Sequence, residues 1–260
     1  MLRVGAVSYL NTKPLIHTLA EQLGNAGRLT LDLPSRLAAD LAAGNLDVAL
    51  IPSVEFFRGQ DYQLVSDAAI ACRGPVWSVR LLSRVPVGQI KRLALDEGSR
   101  TSAALLRVLL WEMYRLKPQT TALAIDQHPE SVDADAILLI GDRAMHPARG
   151  VYQEIWDLGD RWCRWTELPF VFAMWVARKD IPTADLALML QSSRDSGLRH
   201  LEQIAAAEAA GHGMTKEDLH RYFAENLHFR LGPGERSGLE SFRQRAAALT
   251  LVPEAGTAVA

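Results

Sequence analysis

The sequence predicts an α/β protein of two lobes with a ligand cleft between them, and three observations predict it. Strand and helix patterns alternate with short loops through residues 1–55. The same alternation recurs near residues 88–165, as a repetition of pattern and not of sequence. Two strand patterns, 76–84 and 168–177, flank that second block and read as the segments by which the chain leaves one lobe and returns. Units of βαβ with short loops make parallel sheets with right-handed crossovers. The second lobe is therefore expected as an insertion, with residues 1–83 and 175–260 forming the first lobe and 84–174 the second. In such a molecule the strand carboxyl ends of both lobes face the cleft, where ligands bind.

Each element has its own signal. RVGAVSYL reads as a buried strand, and Pro14 opens a helix, PLIHTLAEQLG, that closes on Gly24. RLTLDLP alternates with period two, as a strand does. SRLAADLAAGN is a helix with Ser35 as N-cap and Gly44 near its end. LDVALIP is a short buried strand, and YQLVSDAAIAC and WSVRLLSR are two more. KRLALDEGSRTSAALLRVLLWEMY is strand, polar turn and helix; TTALAID and DADAILLIG are strands. LPFVFAMWVAR is the last strand expected, before helices at 184–210, 215–226 and 235–249. Thr215 with Asp218 three residues on makes a variant capping box for the second of these. The closing residues, PEAGTAVA, read as a frayed tail.

Composition narrows the function. A hydrophobic share of 48%, a charged share of 22% and a formal net charge of −2 are those of a globular protein with no electrostatic case for nucleic acid or an anionic membrane. No apolar run approaches the length of a membrane span. Cys72 and Cys163 match no metal or redox spacing, and the N-terminus carries no secretory pattern, so a cytoplasmic protein is expected. The histidines lie apart, with His212, His220 and His228 lacking acidic partners at metal-ligand spacing. Neither a glycine-rich nucleotide fingerprint, a P-loop nor a nucleophile elbow is present, so no metal and no cofactor are expected. The sequence leaves the oligomeric state open.

The turns after the strands supply the candidate site. The first strand ends in Ser8, Tyr9, Asn11, Thr12 and Lys13, where a helix follows. That cluster is either a capped turn, with Asn11 or Thr12 as N-cap, or a ligand contact. Opposite it lie Ser53, the stretch Gly74 to Ser78, the SRTS turn with Ser99, Thr101 and Ser102, and Gly141-Asp142. Hydroxyls at a helix N-terminus suit a carboxylate or phosphate, although plain N-capping explains SRTS as well. Asp142 can accept from a substrate hydroxyl, act as a base or cap the next helix. Of the aromatics, Trp156, Trp162, Trp165 and Trp175 are expected in the core, with Phe170 or Phe172 flooring the cleft. Such a cleft grips a small anion with neutral donors and brings no strong base.

SYLNTKPL, GNLDVALIPSVEF, GPVWS, SRTSAALL, LLIGD and WTELPFVFAMW occur in this order. Together they resemble the chorismate dehydratase family of the futalosine route to menaquinone, from about residue 2 to 178 and more loosely beyond. The resemblance implies a type 2 periplasmic-binding-protein-like fold. It also implies a hydro-lyase that converts chorismate to 3-[(1-carboxyvinyl)oxy]benzoate, with the substrate's own enolpyruvyl carboxylate taking the proton. By motif position, Asn11 and Ser78 would hold the reacting groups. Thr101 and Ser102 would grip a carboxylate, with Ser53, Ser99, Gly141 and Asp142 completing the substrate contacts. CRGPVW departs from the family in carrying Arg73, which either faces the cleft and pairs a carboxylate or lies on the surface. The rival readings are a solute-binding or sensing protein of the same fold, and the sister cyclase that makes 1,4-dihydroxy-6-naphthoate.

Overall fold

The structure, a computed structural model, describes residues 1–59, 61–146 and 150–254. The first half-sheet is built as the alternation demands. Strand β1 (Leu2–Val7) leads through a 3₁₀ segment, Leu10–Ile16, to helix α1 (Leu19–Leu23), and β2 (Gly27–Asp32) leads to α2 (Pro34–Ala42). Next come β3 (Val48–Pro52), α3 (Ser53–Arg58) and the long β4 (Tyr62–Cys72). β1 pairs in parallel with β2 and with β3. All five residues of β3 are buried, as a parallel strand covered on both faces requires.

The chain then enters a second sheet with β5 (Val79–Ser83), β6 (Arg92–Asp96), α4 (Thr101–Tyr114), β7 (Gln119–Leu123) and β8 (Ala136–Ile140). The short α5 (Asp142–Met145), β9 (Glu154–Asp157) and α6 (Leu158–Thr166) complete it. Its order is β7-β6-β8-β5-β9, with β6 parallel to β7 and β8 and with β5 antiparallel to both its neighbours. β10 (Phe170–Arg178) returns to the first sheet, where it lies antiparallel between β3 and β4. Helices α7 (Ala184–Arg199), α8 (Leu201–Glu208) and α9 (Lys216–Arg221), a π-helical turn at Tyr222–Asn226, β11 (His228–Arg230) and α10 (Pro233–Ala248) close the first unit. The first sheet thus runs β11-β4-β10-β3-β1-β2.

Sequence and structure differ at several places, among them the helix expected at 184–210, which is broken at His200 into α7 and α8. The expected lobe limits fall just after β5, at 83/84, and inside β10, at 174/175, whereas β5 pairs entirely in the second sheet and β10 entirely in the first. The helix expected to open at Pro14 begins instead as the 3₁₀ segment at Leu10, with Pro14 inside it. Pro14 lacks an N–H, so it suits a tight segment more than an α-helical interior. In α2, Pro34 takes the first helical position and leaves Ser35 inside the helix, so Ser35 is no cap. Strands β9 and β11, of four and three residues, are too short to show a period. Thr215 caps α9 as expected, its hydroxyl accepting the Asp218 N–H at 3.0 Å. The tail expected to fray falls mostly on 255–260, outside the described residues. Among the described residues no helix is long and apolar enough to cross a membrane.

Two contacts fix the N-terminal segment. α7 crosses it so closely that a Cβ on Gly197 would overlap the Pro14 carbonyl. At the strand ends, the Asp47 carboxylate accepts from the Arg3 backbone N–H at 2.8 Å and from its guanidinium at 2.5 and 3.1 Å, and Arg178 lies 3.5 Å away. These bonds, the guanidinium's first, hold the Asp47 carboxyl below its usual range. A depressed folded-state pKa gives stability that is present above the ordinary carboxylate range and lost as pH falls through the folded value. Asp47→Asn should therefore melt below the parent at pH 7, and the gap should close as the pH is lowered beyond that range. Thermal melts of both proteins across pH 2–7 test this.

Candidate functional site

The carboxyl ends of β1 and β3 and those of β6 and β8 face one another across a cleft holding about 510 Å³ of empty space, mouth included. Its wall carries Tyr9, Asn11, Ser78, Ser99, Thr101 and Ser102 as polar groups, with Phe172, Ile70 and Ile140 among the apolar ones. Arg100 is the one charged side chain in that wall, and no carboxylate or histidine lines it among the described residues.

Asn11 stands in the first turn of the 3₁₀ segment. It caps nothing. The N-cap position is Tyr9, which makes no side-chain cap bond. The Leu10 N–H is instead taken by Asp142 Oδ1 at 3.0 Å, a carboxylate 132 residues away in the other lobe. Asn11 Oδ1 accepts from the Thr12 hydroxyl at 3.3 Å, which leaves its amide hydrogens for the cleft.

Ser78 ends the crossover between sheets. Its N–H reaches the Val76 carbonyl at 2.7 Å, and Trp77 between them has φ +63°, a rare value for a bulky residue. Asp157, the N-cap of α6, holds this turn by accepting the Val76 N–H at 3.0 Å and the Trp77 N–H at 2.6 Å, besides Asp160 N–H at 3.0 Å. Burial pushes the Asp157 carboxyl above its usual range, while those N–H groups favour its ionised form. The Ser78 oxygen accepts from Tyr222 Oη at 2.8 Å, and its own proton finds only the Val76 carbonyl at 3.4 Å.

The SRTS turn does not cap α4 with its hydroxyls: Arg100 is the N-cap and makes no side-chain cap bond. The Thr101 oxygen instead accepts the Val54 N–H at 3.2 Å, across to the first lobe. Ser53, fully buried, lies behind the wall. It donates to the Val171 carbonyl at 2.8 Å and sits 3.4 Å from the Thr101 hydroxyl. Asp142 is also behind the wall, with His212 Nε2 at 3.5 Å from its other oxygen, and burial pushes its carboxyl up. Arg100 is neutralised by Glu55 at 2.9 Å. Arg73 pairs with the buried Glu235 at 2.8 Å and does not line the cleft. Phe172 is in the floor, whereas Phe170 packs edge-on against Trp162 and Phe242.

Of the sequence-predicted residues, Asn11, Ser78, Ser99, Thr101, Ser102 and Gly141 thus come together on one cleft, and Ser53 and Asp142 support it from behind. Sequence reasoning missed the Glu55 neutralisation, the Asp157 clamp and Tyr222, none of which has a local signature. It also missed the acidic neighbours that folding gives His212 (Asp142 and Glu208) and His228 (Glu235). Two hydroxyls of the cleft, Tyr9 Oη and Ser99 Oγ, are buried with no hydrogen-bond partner among the described residues. Burial and the nearby Asp96 and Asp142 push the Tyr9 phenol up, so it stays a donor. Among the described residues no three His, Cys, Asp or Glu side chains converge as a metal-ligand set.

Two α/β lobes around a cleft define the class of the periplasmic-binding-protein-like folds. Solved structures of this kind match nearly the whole chain. One, a protein of Archaeoglobus fulgidus, gives a TM-score of 0.79 at 15% identity, covering 96% of this chain and 98% of that one. The aliphatic sulphonate binding protein SsuA of Escherichia coli gives 0.62 at 16% identity over 97% and 88%. The alkanesulfonate-binding SsuA of Xanthomonas axonopodis, bound to MOPS, gives 0.67 at 16% identity over 97% and 94%. In sequence, residues 2–248 match a family described as menaquinone biosynthesis, and the chain belongs to it. A chorismate dehydratase of Thermus thermophilus is 32% identical over 263 residues, covering 93% of each chain.

Gly141 shows how tightly the two walls meet. It has φ +65°, and a Cβ there would stand 2.9 Å from three atoms of the Tyr9 ring. Gly141→Ala should therefore cost about 1–3 kcal/mol of stability through backbone strain alone, and it should displace Tyr9. Urea unfolding of parent and variant measures the first, and a parent-like midpoint would remove Gly141 from the argument.

Proposed function

We propose that the chain is a chorismate dehydratase, a hydro-lyase of menaquinone biosynthesis that converts chorismate to 3-[(1-carboxyvinyl)oxy]benzoate and water. The observation that carries the reading is the polarity of the cleft wall. At Asn11 and Ser78 the side-chain oxygen already accepts from a protein donor, which leaves the Asn11 amide hydrogens and the Ser78 proton for the ligand. A wall of donors without a carboxylate fits a substrate with two carboxylates of its own. The relationship to the Thermus thermophilus enzyme supports the same substrate.

The chemistry asks little else of the protein. The ring proton at the ether-bearing carbon is acidified through the conjugated alkene by the ring carboxylate. The enolpyruvyl carboxylate takes that proton, hydroxide leaves the neighbouring carbon, and the two recombine as water while the ring becomes aromatic. What remains for the protein is to hold the reactive conformer and to stabilise developing charge with fixed donors. Thr101, Ser102 and the first N–H groups of α4, which have no intrahelical acceptor, receive one carboxylate. Asn11 and Ser78 hold the reacting end. The lobes meet in the crossovers 73–78 and 167–169, and closing them excludes water from the site. A cytoplasmic enzyme acting on a free small molecule goes with this reading.

Purified protein mixed with chorismate and followed by mass should yield a product lighter by one water; a binding protein of the same fold would return chorismate unchanged. Asn11→Asp should melt like the parent and lose most of its turnover, because a third carboxylate in a water-poor cleft repels the substrate. Ser78→Ala should lose about 100-fold in rate, the lower end for removing one fixed donor, and about 1–3 kcal/mol of stability, because the buried Tyr222 hydroxyl loses its acceptor. An Asn11→Asp protein as active as the parent would place the reaction elsewhere.

A further inference from the structure

The crossover that delivers Ser78 is held from a part of the chain remote in sequence, and that contact has a direction. Tyr222 lies in a π-helical turn, Tyr222–Asn226, between α9 and β11. Such turns insert one extra residue into a helix and recur at functional sites. Here the turn reaches the crossover twice. Tyr222 Oη donates to Ser78 Oγ at 2.8 Å, and Asn226 Nδ2 donates to the Pro75 carbonyl at 3.0 Å. The Tyr222 ring also stands edge-on to Trp77, with centroids 5.9 Å apart, so the residue in the strained turn is braced from the same side.

Tyr222 is wholly buried. Its hydroxyl makes one hydrogen bond, to an oxygen that faces the cleft. A hydroxyl has one proton and two lone pairs. With a lone pair of Ser78 filled by the phenol, the serine proton is the group left to direct. Its protein partner, the Val76 carbonyl at 3.4 Å, lies beyond the usual O–H···O range of about 2.5–3.0 Å.

We infer that Tyr222 is a positioning residue that fixes Ser78 as a hydrogen-bond donor to the substrate. The inference rests on the chorismate dehydratase reading. A phenol donating to a hydroxyl also polarises it, so the serine proton becomes a stronger donor than an isolated serine would offer. Burial keeps the phenol protonated far above neutral pH, so the direction of the chain Tyr222 to Ser78 to substrate does not reverse.

Tyr222→Phe keeps the ring and its packing on Trp77 and removes only the donor. It should lower kcat by about 10- to 100-fold, the range for groups that orient a primary ligand, with KM for chorismate changed much less. The decisive measurement is the cycle with Ser78→Ala. If Tyr222 acts through Ser78, adding Tyr222→Phe to Ser78→Ala should lower kcat no further. A purely structural role would make the two losses multiply, and that result overturns the inference. As a second arm that keeps the hydroxyl and the fold, 3-fluorotyrosine at position 222 should retain or exceed the parent rate. A fall equal to that of Tyr222→Phe also overturns it. Parent turnover with a parent-like Tyr222→Phe protein removes this inference and leaves the dehydratase reading intact. No turnover by the parent removes both.

Discussion

The site depends on a hydrogen bond that crosses the cleft. The segment bearing Asn11 begins with the Leu10 N–H, and its acceptor is Asp142 at the end of β8 in the second sheet. Without that carboxylate, the first donor of the 3₁₀ segment would be left unpaired in a buried place, a cost of about 1–3 kcal/mol. The bond therefore couples two things: the conformation of the segment that presents Asn11 and the approach of the second lobe. Val54 N–H on Thr101, Arg100 on Glu55 and the Tyr9 ring over Gly141 cross at the same level. With these contacts made, Asn11 and the start of α4 face a common space.

The crossover obeys a second constraint. Trp77 at φ +63° costs about 1–3 kcal/mol. The Asp157 carboxylate opposes that cost by accepting the Val76 and Trp77 N–H groups on either side of the strained peptide. The strained geometry is thus overdetermined, and Ser78 leaves it in one direction. Because Asp157 also caps α6, the helix that ends the second lobe and the turn that begins it share one anchor.

How much of this the sequence shows follows from the range of each interaction. β3, β8 and β10 are apolar runs bounded by polar turns, and their burial is visible residue by residue. Asn11 stands out because a polar cluster ends a buried strand, and SRTS because hydroxyls open a helix. Their partners do not stand out. Local rules assign Asn11, Ser35 and the SRTS hydroxyls to capping, yet the structure caps the first segment from 132 residues away, gives α2 a proline start and turns Thr101 toward Val54. Tyr222 sits in YFAENL, which reads as an ordinary amphipathic stretch; only folding brings it to Ser78. The sheet that each crossing strand joins is hard to read for a related reason. β5 and β10 are good strands in either sheet, and pairing, which is nonlocal, decides which one they join.

The same logic explains why the cleft has so little formal charge. Among the described residues its one cation, Arg100, is paired with Glu55, and Glu55 is shared with Arg58. Attraction for an anion then rests on oriented dipoles: the α4 N-terminus, the Asn11 amide and hydroxyls whose oxygens are already filled. Dipoles fixed before binding would need no reorganisation in the proposed reaction, where charge moves from a ring carbon to a departing hydroxide. In the proposed reaction, a free lysine or arginine would hold the substrate carboxylates more strongly in the ground state, when the enolpyruvyl carboxylate would have to stay basic enough to take a proton. Uniform binding of that kind tightens the complex without speeding the step. A wall of neutral donors, each held in place by a partner outside the cleft, avoids that penalty while still orienting both carboxylates.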